Sequence, residues 1–120
     1  TKKRRIVMEE TLFTKIINRE IPAEIVYEDN LCLAFKDINP QAPLHILVIP
    51  KKHIAKISDA VKSEQDLLGH LLLKAGEIAN NQGYGEAFRL VINNGENAGQ
   101  TVFHLHIHIL AGRNLTWPPG

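Results

Sequence analysis

Three histidines alternate with apolar residues near the end of this 120-residue chain, in the run Phe103-His104-Leu105-His106-Ile107-His108-Ile109. Half of the six histidines in the sequence fall within positions 104–108, which sets them apart from isolated core histidines. A β-strand turns successive side chains to opposite faces. Read as a strand over residues 102–110, the run puts His104, His106 and His108 on one face. Phe103, Leu105, Ile107 and Ile109 then supply core from the other.

Two chemistries suit such a row. In the first, His104 and His106, about 6.6 Å apart along the strand, share a metal ion. His104 and His108 would be about 13 Å apart, too far to join one tetrahedral zinc, so a further ligand must come from elsewhere, with His45 the best candidate. In the second, a neutral imidazole attacks phosphorus with one nitrogen while the other, as Nδ1–H, is held by a carbonyl oxygen. His106, flanked by a histidine on each side, is best placed for that role. A neighbouring imidazole could neutralise phosphate charge or protonate a leaving atom. Residues 94–100, with two glycines and three side-chain amides, lead into the histidine run as a loop whose main-chain N–H groups could approach phosphate oxygens.

The elements that must position these groups follow from pattern. Thr11 caps a short helix in which Leu12, Phe13, Ile16 and Ile17 share one face, and Pro22 forbids its continuation. Strands are expected over residues 25–28 and 31–37, joined by a tight turn at Asp29-Asn30. Residues 38–43 contain two prolines and read as a loop, followed by a buried strand over 45–49 that Pro50 closes. Ser63 with Asp66 has the form of a capping box. Leu67, Leu68, Leu71, Leu72, Ala75, Ile78 and Ala79 then keep helical spacing until Gly83. A fourth strand is expected over 88–93. Short connections favour an α+β fold: an antiparallel five-stranded sheet with one long and one short helix, both on one face.

Composition bounds the rest. With 44% hydrophobic and 22% charged residues, the chain matches an ordinary globular domain rather than a disordered or membrane-spanning one. The apolar runs fall far short of the ~18 residues of a spanning helix, and no signal-peptide pattern opens the sequence. One cysteine, Cys32, excludes an internal disulfide and fits a reducing compartment. Lys2, Lys3, Arg4 and Arg5 form a basic tetrad, whereas residues 6–120 carry a net charge of −3, so the body is not a general polyanion binder. Residues 1–10 are therefore read as a flexible basic tail and residues 11–120 as a single domain.

The run from Gln100 to Leu110 resembles the signature of the histidine triad nucleotide-binding family. The likeness extends to Leu12-Phe13-Thr14-Lys15-Ile16-Ile17, Glu20-Ile21-Pro22-Ala23, Ala34-Phe35-Lys36-Asp37-Ile38, Pro40-Gln41-Ala42-Pro43 and Val48-Ile49-Pro50-Lys51-Lys52-His53. With the ending Trp117-Pro118-Pro119-Gly120, these stretches are similar to the Hint branch of that family. The resemblance implies a cytoplasmic homodimeric purine nucleoside phosphoramidase (also nuclear if the source is eukaryotic). It implies a sheet extended across the dimer, AMP or GMP as product, and no metal or other cofactor, membrane or nucleic acid partner. By the same likeness His106 is the nucleophile, His108 assists the leaving amine, and His45 and His104 complete an imidazole cluster. Asp37 would accept the ribose hydroxyls, and Leu12, Phe13, Ile16, Phe35 and Ile38 would enclose the base. Asn93, Gly99, Gln100 and Thr101 would hold the α-phosphate. Thr101 departs from the serine of many relatives but keeps a hydroxyl. Trp117 would reach toward the partner's site, and the long helix would form the dimer contact.

Three other readings are kept. One is a nucleotide-binding regulatory or scaffold protein, the second a zinc protein, and the third a dinucleoside polyphosphate hydrolase of the Fhit kind. The histidine at position 108, where a transferase branch has glutamine, argues against nucleotide transfer.

Overall fold

The computed structural model describes residues 10–120; the basic tetrad and the expected tail lie outside them, apart from Glu10. The elements are α1 (Leu12–Ile17), β1 (Ile25–Glu28), β2 (Cys32–Lys36), β3 (Leu44–Pro50), α2 (Gln65–Asn81), β4 (Phe88–Val91) and β5 (Ile107–Ala111). Every pairing in the five-stranded sheet is antiparallel and the order is β1-β2-β3-β5-β4. The α+β fold is as read from pattern.

β3 is the central strand and all seven of its residues are buried. Its alternate side chains therefore need apolar cover on both faces. Leu44, Ile46 and Val48 join Ala34, Ile107 and Ile109 against Leu71, Ala75 and Ile78 of α2. Leu47 and Ile49 join Leu33 and Phe35 against Phe13 and Ile16 of α1. The two helices thus cover opposite faces, not one. Both faces of β2 and β3 are apolar, and burying such a side chain contributes about 1.5–3 kcal/mol, so a second cover is required.

Local signals mark most boundaries. Thr11 caps α1: its Oγ1 accepts from the Thr14 N–H at 3.3 Å, while its own N–H donates to Thr14 Oγ1 at 3.2 Å. α1 ends before Pro22, where Arg19 turns into the left-handed region with φ 64°. In the β1–β2 turn, Asp29 Oδ1 accepts from the N–H groups of Leu31 and Cys32, both at 2.8 Å. Its Oδ2 accepts from Tyr27 Oη and pairs with His70 Nε2 of α2, each at 2.7 Å, which ties the hairpin to the long helix. The expected Ser63–Asp66 box does not form. Glu64 does that work instead, accepting from the Val61 N–H at 2.9 Å through Oε1 and meeting Lys52 Nζ at 2.9 Å through Oε2. Among the described residues, no helix is long and apolar enough to cross a membrane.

Candidate active site

The histidine run is a strand only in its second half. β3 and β5 pair from Leu44↔Ala111 to Val48↔Ile107, and that register carried further would bring Pro50 opposite Leu105. Proline has no N–H to offer a ladder. Residues 100–106 are instead pinned to the 50–55 segment by other bonds: the His104 ring to the Pro50 carbonyl through Nε2 at 2.8 Å, and the Leu105 N–H to the Ile54 carbonyl at 2.7 Å. The alternation survives the loss of the ladder. Leu105, Ile107 and Ile109 enter the core beneath α2, whereas His106 and His108 line a hollow on the α1 face. Phe103, expected in the core, is 39% exposed because it precedes the paired segment.

The three imidazoles do different things. His104 is buried behind the hollow, against Phe13 and His53, and does not line it. Its main-chain carbonyl accepts from His106 Nδ1–H at 2.8 Å, which leaves the Nε2 lone pair of a neutral His106 free. The Phe13 ring stands edge-on to His106 with centroids 5.0 Å apart, fixing the imidazole from the side. His108 packs beside His106 at 4.9 Å and meets His45 through Nδ1 and Nε2, respectively, at 2.9 Å. The Gln41 N–H donates to His45 Nδ1 at 3.0 Å. His45 Nε2 also lies 3.5 Å from Asp37 Oδ2, and Asp37 Oδ1 accepts from the Asn39 N–H at 2.8 Å.

Burial favours the uncharged form of these rings. It pushes His104 down to about 4 from 6.5, against the opposing Pro50 hydrogen bond. Burial, helped by the neighbouring His106 and His45, takes His108 to about 4. His106 and His45 are also lowered by burial, opposed in His45 by the Asp37 carboxylate. Neutral imidazoles are what nucleophilic attack requires.

The hollow has a volume of about 250 Å³. Leu12, Phe13, Ile16, Phe35, Asp37, Ile38, Thr101, His106 and His108, all singled out from sequence, line it. Ile38 is 95% exposed at the rim, an apolar side chain with no internal partner. Ile21, Pro22, Ala23, Lys36, Leu47 and Val102 also line it without having been expected there; the first four fall in stretches that carry the family resemblance. His53, likewise within a quoted stretch, was missed as the ring that packs behind His104.

The glycine loop differs most from expectation. Gln100 does not face the hollow. Its amide is buried, donating to the Ala55 and Val102 carbonyls at 2.8 and 3.1 Å and accepting from the Gly95 N–H at 2.8 Å. The main-chain N–H groups of Ala98, Gly99 and Gln100 close turns within the loop rather than pointing at a ligand. Gly99 takes φ 99°, a conformation that favours glycine, while a Cβ there would make only an ordinary contact with Asn93 Nδ2 at 3.5 Å. Of the four residues expected to hold phosphate, Thr101 alone lines the hollow.

The expected zinc arrangement of His104, His106 and His45 is not assembled: His104 turns its Nε2 to the Pro50 carbonyl behind the hollow, and both His45 nitrogens are engaged by Gln41 and His108. Asp37, His45 and His108 do converge, their ligand atoms within 4.8 Å of one another. Two ligands of a tetrahedral zinc would sit roughly 3.4 Å apart, whereas the 2.9 Å ring–ring distance is that of a hydrogen bond.

Comparison with known proteins places the chain. The family model described as HIT domain matches residues 18–115. A HIT-like protein of Synechocystis sp. is 66% identical over 112 residues, which cover 93% of this chain and 98% of that protein. The crystal structure of a HIT family hydrolase from Legionella pneumophila Philadelphia 1 matches with a TM-score of 0.90 and 50% identity, covering 92% of this chain and all of the other. A histidine triad nucleotide-binding protein from Candida albicans matches with a TM-score of 0.78 and 30% identity, covering 91% and 83%. The chain belongs to the HIT domain family.

Proposed function

We propose that this chain hydrolyses the P–N bond of purine nucleoside 5′-phosphoramidates, adenosine favoured, through a nucleotidyl–histidine intermediate. The observation that carries this reading is the Nδ1–H bond from His106 to the His104 carbonyl, which frees Nε2 on the wall of the hollow. The apolar end of the hollow suits a flat base, and the Asp37 carboxylate suits a vicinal diol. A HIT family hydrolase and a histidine triad nucleotide-binding protein are among the similar structures, which supports hydrolysis of a nucleotide in coarse terms.

In the proposed cycle His108 rests neutral with its proton on Nε2, turned to the leaving nitrogen of the bound substrate. His106 Nε2 attacks the α-phosphorus and becomes an imidazolium. As the P–N bond breaks, His108 gives its Nε2 proton to the leaving nitrogen, and the amine departs neutral. The His45–His108 pair, one proton short and balanced by the His106 imidazolium, then takes a proton from water, whose oxygen displaces His106, again neutral, from phosphorus. Thr101 donates its hydroxyl at the same end of the hollow. Pairing of two copies through α2 is part of the proposal: Leu73 is 72% exposed there, and Leu72 beside it is 48% exposed. Trp117, 82% exposed, would then be free to reach the second hollow.

The test is turnover of adenosine 5′-phosphoramidate by the wild type and by His106→Ala. The variant is expected to lose roughly a thousandfold or more in kcat while keeping its thermal midpoint. Wild-type-like turnover by the variant overturns the mechanism.

A further inference from the structure

Two residues just beyond β5, outside the hollow and outside the histidine run, brace the loop that sets the proton positions. Gln41 is held on both sides of its main chain. Its N–H donates to His45 Nδ1 at 3.0 Å, and its carbonyl accepts from Arg113 Nε at 2.9 Å. Beside Arg113, Gly112 has φ 95°, and a Cβ there would lie 2.8 Å from Pro43 Cβ and 3.3 Å from the Tyr84 ring. Only glycine allows that approach in that conformation. The 112–113 segment therefore grips the 38–43 loop at two separate points, both within four residues of His45.

The grip has a consequence for tautomers. Because the Gln41 N–H occupies Nδ1, the proton of a neutral His45 is on Nε2. That proton is donated to His108 Nδ1, 2.9 Å away. The proton of His108 must then be on Nε2, the one nitrogen left for a ligand in the hollow. If Gln41 withdrew, His45 could adopt the other tautomer. Its Nε2 would then accept from His108 Nδ1–H, and His108 would present a bare Nε2 with no proton for a leaving group.

We propose that Gly112 and Arg113 are positioning residues, which hold Gln41 so that the His45–His108 pair presents a proton donor to the hollow. The kinetic consequence rests on the reaction proposed above; the tautomeric one does not.

Long-range proton–nitrogen NMR correlation at neutral pH reads the tautomers directly. In the wild type, His45 and His108 are expected to carry their protons on Nε2. In Arg113→Ala, an exposed substitution that spares the core, His108 is expected to shift toward the Nδ1–H form. The phosphoramidate kcat should then fall about tenfold with little change in KM, the loss of one partly screened charge-assisted bond. Arg113→Lys, whose ammonium can still donate to the Gln41 carbonyl, should recover part of both. A wild-type His108 protonated on Nδ1 overturns the proposal. So does an Arg113→Ala protein with wild-type tautomers, whatever its thermal midpoint. If the wild type turns over no phosphoramidate, the proposed reaction falls, and the tautomer comparison still decides the role of Arg113.

Discussion

The two faces of the sheet draw on the same strands and differ in how completely they are covered. Beneath the 17-residue helix α2, alternate residues of β2, β3 and β5 close into a core of aliphatic side chains. On the other face the six-residue α1 covers Leu33, Phe35, Leu47 and Ile49 but stops short of β5, leaving the hollow lined by His106 and His108. A short cover over an apolar floor is what makes a site here. The same strand alternation that packs Ile107 and Ile109 inward presents the imidazoles on the incompletely covered side.

This contrast can be broken from either face. On the α2 face, Ile46 is fully buried in the closed core. Ile46→Ala is expected to cost about 2–5 kcal/mol in urea denaturation, with kcat on the phosphoramidate close to wild type in the folded protein. A destabilisation below 1 kcal/mol would mean that the closed face is not where the fold's stability resides (about the cost of a surface change). The histidine face should respond to acid instead. His104 and His108 stand near 4 when folded against 6.5 when free, chiefly through burial. As pH falls below 6.5 the unfolded chain takes up protons that the folded one refuses until about 4. Their depressed values therefore favour the folded state fully above that window, and stability is lost across it on acidification. Urea midpoints measured from pH 7 to 4 should decline through this interval, with the same slope in the wild type and in Ile46→Ala. A flat profile would show that these rings are not buried neutral.

Much of this was legible in the residues themselves. Alternation sorted His106 and His108 from Leu105, Ile107 and Ile109 without reference to a sheet, and leucine spacing located α2. What stayed hidden depends on partners distant in sequence. Nothing near Ser63 indicates that Lys52 and the Val61 N–H would engage Glu64 and displace the expected cap. Nothing near His104 indicates that Pro50, more than fifty residues earlier, would end the ladder and take the ring as a donor. The family resemblance alone put Gln100 among the phosphate-holding residues. Here it satisfies carbonyls that an irregular segment leaves unpaired. The two-sided cover of β3 was legible in residues 45–49, where Ile46 and Val48 face one way and Leu47 and Ile49 the other, but short connections between strands do not say which face each helix takes.

The central claim is that His106, and neither neighbouring imidazole, becomes bonded to phosphorus. Rapid acid-free quenching of the wild type with adenosine 5′-phosphoramidate, followed by peptide mass spectrometry, tests it most directly. The account predicts a transient adenylyl group on His106. An adduct on His104 or His108, or turnover that proceeds with no adduct at any time point, would contradict it.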